Sequence, residues 1–225
     1  MLINCDIGER GVAHQGDDQL MTYIDIANIA CGGHAGCEQS AEYYCSLAKE
    51  YGVKASAHLS YPDQKNFGRV VMEIDDKALL KSLDQQYKLL SDIKTLKFHG
   101  ALYNEANVNR NLAQLLMNWA RSVGIKEVLT PQGSEISKSA DQIAVIHEVF
   151  LDRQYIYKNN ALCLKSRKQK NALITNTDDA MKQYQTLSNN FLVIDHTKYK
   201  IAADTGCIHS DSEIALALIR AIKGV

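Results

Sequence analysis

The chain has 225 residues, enough for one substantial core and short for two, so a single domain over residues 1–225 is expected. Its 25 lysines and arginines nearly cancel 26 aspartates and glutamates without a long block of either sign, which excludes the basic face of a nucleic-acid binder. No run approaches the roughly 18 uninterrupted apolar residues of a membrane span, and Met1-Leu2-Ile3-Asn4-Cys5-Asp6 has no charged segment followed by an apolar one, so a cytoplasmic protein is expected.

Apolar, β-branched runs of strand length alternate with stretches of helical periodicity, the pattern of parallel βα units. In chain order, strands are expected over Leu2 to Cys5, Ile24 to Ala30, Val53 to His58, Thr95 to Phe98, Lys126 to Leu129, Ala144 to His147 and Ile201 to Cys207. Helices are expected over Cys37 to Tyr51, Asp75 to Ser91, Val108 to Val123, Asp178 to Leu187 and Asp211 to Ile222. Gly52 and Gly124 sit where two helices end, and Asp211 is placed to cap the last one. Between Tyr155 and Phe191 the pattern is weakest, with Ala161 to Lys165 readable as a strand or as part of a loop excursion. Seven strands with crossover helices predict an α/β fold, a seven-stranded, distorted β/α barrel.

Five of the strand-like runs end in clusters of polar side chains. They are Asn4-Cys5-Asp6-Ile7-Gly8-Glu9, Ala27 through Gly36, Ala57-His58-Leu59-Ser60-Tyr61-Pro62-Asp63, Lys97-Phe98-His99-Gly100-Ala101-Leu102-Tyr103-Asn104, and Cys207-Ile208-His209-Ser210-Asp211. Barrels of this kind assemble one active site from the ends of successive strands. Solvated loops would not explain why His34, His58, His99 and His209, four of the chain's 7 histidines, all fall there. His14, His147 and His196 lie outside the clusters and are read as ordinary hydrogen-bonding residues.

The histidines suit general acid–base chemistry, their ordinary pKa of about 6.5 lying near working pH. Alternatively Asp6, His34, His58 and His99 are candidates to bind a divalent metal, although no local motif such as H-E-x-x-H is present. Arg69, Arg153 and Lys97 are the cations available to an anionic ligand; Asp152 and Arg153 are also readable as a structural pair. The basic run from Lys165 to Lys170 is read as a solvated loop or helix start, with an anion-binding patch as the alternative. Neither G-x-x-x-x-G-K-[ST] nor G-x-G-x-x-G after a strand occurs, so ATP is not expected to bind here by either cradle. The cysteines Cys5, Cys31, Cys37, Cys45, Cys163 and Cys207 include no C-x-x-C pair and are expected as free thiols, with Cys5, Cys31 and Cys207 in strand-like runs.

The segments NCDIGE (4–9), ANIACGGHAG (27–36), SAHLSYPD (56–63), NFGRV (66–70), KFHGALYN (97–104), FLDRQY (150–155) and CIHSD (207–211) resemble, in order, the motifs of the 5-oxoprolinase A-subunit family, the LamB/YcsF-like proteins. That resemblance implies a glycoside hydrolase/deacetylase-like barrel. It also implies an ATP-dependent hydrolase that opens the lactam of 5-oxo-L-proline to L-glutamate together with B and C partner subunits. ATP would be consumed by the complex rather than held by this chain's own motif, and a divalent metal and a homo-oligomer are left open. On this reading Asp6, Glu9, His58, Lys97 and His99 are catalytic, with Asp6 the favoured base and Lys97 and His99 stabilising developing charge. Asn28, His34, Tyr61, Asp63, Arg69, Tyr103, Asn104, Arg153 and His209 contact substrate. The chain departs from the family at Gly33 for an aromatic, Leu59-Ser60 for Pro-Gly, Phe98 for proline, Ser210 for glycine, Arg10-Gly11-Val12 for Gly-Phe-Gly, and Val70 for a second arginine. Polar side chains are retained better than loop-shaping ones, so an altered substrate is an alternative. A metal-dependent deacetylase or amidohydrolase on a sugar or another lactam, and a non-catalytic ligand-binding subunit, are also compatible with these residues.

Overall fold

The computed structural model describes residues 1–90, 92–158 and 161–225. In chain order the first half comprises β1 (Leu2–Ile7), α1 (Gln15–Met21), β2 (Ile26–Ala30), α2 (Glu38–Tyr51), β3 (Lys54–Leu59), α3 (Asp76–Lys88), β4 (Thr95–Phe98), α4 (Gly100–Ala106) and α5 (Arg110–Ser122). The second half comprises β5 (Glu127–Thr130), α6 (Glu135–Ser139), β6 (Ala144–Phe150), β7 (Tyr155–Lys158), β8 (Ala161–Leu164), α7 (Thr177–Ser188), β9 (Phe191–Ile194), β10 (Thr197–Lys200), β11 (Thr205–His209) and α8 (Ala215–Lys223).

Seven parallel strands close the barrel in the order β1-β11-β6-β5-β4-β3-β2. All five residues of β2 and all four of β4 are buried, because a parallel strand here is covered inside by the barrel and outside by helices. Ile3, Cys5 and Ile7 are fully buried on β1, in alternation with Asn4 and Asp6, which join the polar hydrogen bonds inside the barrel. Asp75 accepts from Ala78 N at the start of α3, and Asn109 and Asn176 do the same for α5 and α7. Gly52 stops α2 with φ of 68°, a left-handed turn that glycine makes without steric cost.

Register decides which side chains meet. Asp6 lies opposite His209 on one neighbouring strand and Asn28 on the other, and His58 lies opposite Lys97. The strand-end clusters therefore occupy one rim of the barrel.

Several expectations are corrected. The expected strand from Ile201 to Cys207 starts later, at Thr205, because Ile201 is tied by its N–H to Asn190 O at the foot of the antiparallel β9–β10 hairpin. The Ala161 to Lys165 stretch is a strand through Leu164, paired antiparallel with β7. Asp211 does not cap the last helix: α8 begins after Ile214, and Asp211 faces Arg69 across 3.3 Å. The expected helix from Asp75 to Ser91 is α3, which ends at Lys88; Ser91 lies outside the described residues. The short helices α1, α4 and α6 lack enough turns to show a period. All six cysteines are free, and Cys5, Cys31 and Cys207 are buried as expected.

At the start of α4, Gly100 has φ of +58°, and an added Cβ would fall inside van der Waals contact of Gly68 O and 3.0 Å from Gly68 C. This close pass holds the 63–69 loop against the barrel rim, helped by the Ala101 N–H bond to Gly68 O at 2.8 Å. Gly100→Ala is expected to cost about 1–3 kcal/mol for the left-handed backbone alone, read as a lowered urea midpoint.

Candidate active site

At the C-terminal rim a cavity of about 590 Å³ is lined by Asp6, Glu9, His58, Arg69, Lys97, His99, Tyr103, Asn104, Phe150, Arg153 and His209, and by residues 164–168. A larger depression, about 790 Å³, lies between α5 and α6 over surface residues such as Arg110 and Lys138, away from the strand ends.

Lys97 reaches the floor of the rim cavity from β4. Its Nζ lies 2.8 Å from Asp6 Oδ1, 2.9 Å from Glu148 Oε1 and 3.2 Å from Cys207 Sγ, with the residue only 2% exposed. Burial works against its charge, but Asp6, Cys207 and Glu148 outweigh it and raise the ammonium pKa well above the ordinary value. For Asp6, burial alone would raise the pKa, yet Lys97 and His58 hold it well below the usual carboxylate range. Asn28 Nδ2 donates to Asp6 Oδ1 at 2.9 Å, so that oxygen has two donors and Oδ2 is left 3.5 Å from His58 Nε2. Asp6 is thus an anchored anion with both Lys97 and Asn28 on one oxygen. Burial, with Asp6 nearby, pushes Glu9 up to about 7.

The histidines form the next wall. His34 and His99 stack with ring centroids 3.6 Å apart and planes within 4°, while His58 stands edge-on to His99 at 89°. His34 Nε2 lies 2.9 Å from Glu9 Oε1, and His58 Nε2 lies 3.0 Å from His99 Nδ1. Burial pushes His34 down to about 3, and burial with the two neighbouring imidazoles holds His99 well below its ordinary value. Ligand atoms of Glu9, His34, His58 and His99 all fall within 4.8 Å of one another, a group compatible with a metal ion. Asp6, Cys207 and His209 also converge, but Lys97 Nζ already sits against Asp6 and Cys207.

On the opposite side, His209 Nδ1 lies 3.0 Å from both oxygens of Asp152. Asp152 is therefore engaged by His209, while Arg153 Nη2 donates to Lys165 O at 2.8 Å, so the Asp152–Arg153 pair is not the arrangement formed. The basic run is exposed from Ser166 to Lys170, as expected of a solvated loop, and also places Lys165, Arg167 and Lys168 on the cavity beside Arg69 and Arg153.

Two expected substrate contacts are not brought to the cavity. Tyr61 is buried and donates its hydroxyl to Glu105 at 2.8 Å, and Asp63 folds its own turn by accepting from Asn66 N and Nδ2. Asn28 and His34 lie behind the lining, touching Asp6 and Glu9. Glu148, which also accepts from Tyr103 at 2.8 Å, was missed because the expected strand stopped at His147; an acid inside the apolar run Ala144 to Phe150 was the available signal. Two departures from the family motifs, at Gly33 and Ser60, are neighbours in space. A Cβ on Gly33 would collide with Gln86 and lie 2.5 Å from Ser60 Oγ, and Gln86 bonds both the N–H and C=O of Ser60. The Gln86 amide fills the room a side chain at 33 would need.

The model of the LamB/YcsF family matches residues 1–225. The chain belongs to the LamB/YcsF family. Proteins named as the A subunit of 5-oxoprolinase, from Staphylococcus aureus strains bovine RF122 / ET3-1 and Newman, are each 32% identical over 99% of this chain and 94% of their own length. The crystal structure of a lactam utilization protein from Thermus thermophilus superposes with a TM-score of 0.86, at 24% identity, over 100% of this chain and 96% of that one. The LamB/YcsF barrel expected from the sequence is therefore the fold observed. Among the described residues no helix is long and apolar enough to cross a membrane.

Burial lowers the pKa of His209, but Asp152 more than offsets it and the net shift is upward; for Asp152, burial raises and His209 lowers, with a net downward shift. The His209 contribution to stability is present in full below about 6.5 and lost as pH rises through its folded value, whereas that of Asp152 is present above about 3.9 and lost as pH falls. Asp152→Asn is expected to move the His209 titration, followed by NMR of the ring, to lower pH.

Proposed function

We propose that this chain is the ring-opening subunit of an ATP-dependent 5-oxoprolinase, acting on 5-oxo-L-proline with B and C type partner subunits. The observation that carries this reading is a buried ammonium, Lys97, at the floor of a cavity whose rim bears Arg69, Arg153, Lys165, Arg167 and Lys168. A small anionic lactam matches that division: its carboxylate meets the cationic rim, and its carbonyl oxygen faces the floor. The relatives' name, that of the A subunit of 5-oxoprolinase, supports the same substrate and a multi-subunit assembly.

A lactam is a poor electrophile, and the sequence has neither standard nucleotide cradle. Activation of the lactam oxygen by ATP therefore belongs to the partners. Water held against Glu9, His58 and His99 gives a proton to Glu9 and adds to the activated carbon; the C–N bond breaks as the ring nitrogen takes that proton, and a second water cleaves the resulting acyl phosphate to glutamate and inorganic phosphate. Lys97 stabilises the oxyanion as it develops, and because Asp6 and Glu148 hold it in place, little reorganisation accompanies the reaction.

The test is glutamate release from 5-oxo-L-proline and ATP. The chain alone is expected to give none, and addition of candidate B and C subunits is expected to give turnover. Glu9→Gln, which keeps the side chain's shape, is expected to lower kcat by at least about 100-fold, the usual contribution of a positioned acid or base. Lys97→Met is expected to abolish release and to cost about 3–5 kcal/mol of stability, because it leaves two buried carboxyl groups without their cation. Robust glutamate release by the chain alone, or a fully active Glu9→Gln complex, would contradict the reading.

A further inference from the structure

The two facing histidine nitrogens present a problem of protons. His58 Nδ1 lies 3.3 Å from Lys97 O, and His99 Nε2 lies 3.0 Å from Phe67 O. A carbonyl only accepts, so each of these nitrogens carries the ring's N–H. In the neutral rings His58 Nε2 and His99 Nδ1 are then both lone pairs, and they stand 3.0 Å apart in a buried wall. Two acceptors at that distance repel unless a cation lies between or beside them.

The surroundings specify what kind of cation. Glu9 Oε1 lies 3.6 Å from His99 Nδ1 and 3.9 Å from His58 Nε2, and Asp6 Oδ2 lies 3.5 Å from His58 Nε2. Ligands at about 2.0–2.1 Å around a tetrahedral ion are separated by roughly 3.3–3.4 Å, and the observed separations bracket that edge. The rings of His58 and His99 are perpendicular, so their planes intersect and an ion on that line lies in the plane of both rings. His34 cannot join them: its ring is parallel to that of His99 at 3.6 Å, and an ion in the plane of one ring lies well outside the plane of the other. Among the described residues His34 Nδ1 also has no acceptor for the proton that a ligating Nε2 would leave on it. Its contact with Glu9 makes it a positioning residue. Asp6 and Glu148 share the ammonium of Lys97, whereas Glu9 lies against the imidazoles of His34, His58 and His99.

We propose that His58 Nε2, His99 Nδ1 and the Glu9 carboxylate form a site for one first-row divalent cation, with Asp6 Oδ2 beside it. Imidazole with carboxylate suits zinc and its neighbours rather than calcium or magnesium. The site rests on the proposed function and deepens it: with an ion bound, Glu9 would serve as a ligand and the ion would supply the water activation assigned above to that carboxylate, while binding is measured without any turnover. Failure of the lactam reading would leave the metal result standing, and the reverse also holds.

The experiment is equilibrium dialysis of chelator-stripped protein against Zn²⁺, paired with the visible spectrum of the Co²⁺ form. One equivalent per chain is expected, with Co²⁺ bands of a low-coordinate nitrogen and oxygen site and no thiolate charge-transfer band from the exposed Cys37 or Cys163. His58→Ala and His99→Ala are each expected to weaken binding by more than about 10-fold, whereas His34→Ala keeps one equivalent. Should a histidine variant fail to fold, the ring ¹⁵N resonances of the unaltered protein decide: Zn²⁺ must shift His58 Nε2 and His99 Nδ1 directly. Absence of stoichiometric Zn²⁺ in folded protein with a proton shared between His58 and His99, a thiolate spectrum, or undiminished binding in a folded His58→Ala, His99→Ala double variant would each overturn the proposal.

Discussion

Lys97 is an ammonium withdrawn from water and held by Asp6 at 2.8 Å and Glu148 at 2.9 Å, and the interior of the barrel is organised around it. Taking such a charge out of solvent costs several kcal/mol, an amount the mutual attraction offsets only with close geometry and further hydrogen bonds. Those bonds are present: Asn28 donates to Asp6 and to Asn4, Tyr103 donates to Glu148, and Asn4 donates to Thr205. The participants come from β1, β2, β4, α4, β6 and β11, so the network can form only when the barrel is closed. A conventional apolar filling would stabilise the barrel at least as well; a fixed cation at the base of a cavity is what the polar filling adds.

Above that floor the site divides by chemistry. One wall, Glu9 with His34, His58 and His99, is dense in proton and metal donors, while the other carries the Asp152–His209 pair and the cations of residues 165–168. Low dielectric strengthens the histidine wall and the Asp152–His209 pair, whereas Arg167 and Lys168 are exposed to solvent. Lys165, Arg167 and Lys168 of the basic rim follow the β7–β8 hairpin, outside the seven barrel strands.

Loop shape is set by close backbone approach. Gly68 and Gly100 let the 63–69 loop rest on the start of α4, which brings Phe67 O to His99 and Arg69 over the Phe67 ring at 4.7 Å. The Gln86 amide, anchored to Ser60, occupies the space beside Gly33 and so ties α3 to the loop that follows β3. Substitutions that look independent along the chain share one volume in space.

The sequence by itself determined the seven barrel strands, because parallel strands covered on both faces must be continuously apolar and end in polar residues, and this pattern is local. It also marked Asp6, Glu9, His58, Lys97 and His99, since polar clusters recurring at successive strand ends are what a site shared among those strands requires. Only the tertiary structure decided that Glu148 completes the lysine's surroundings, that Tyr61 and Asp63 turn to Glu105 and Asn66, and that Lys165 to Lys168 overhang the cavity. Those outcomes depend on barrel register and on where hairpins outside the repeat fold back. The partners lie tens of residues apart in sequence, as Lys97 and Glu148 do, and no local pattern records such distances.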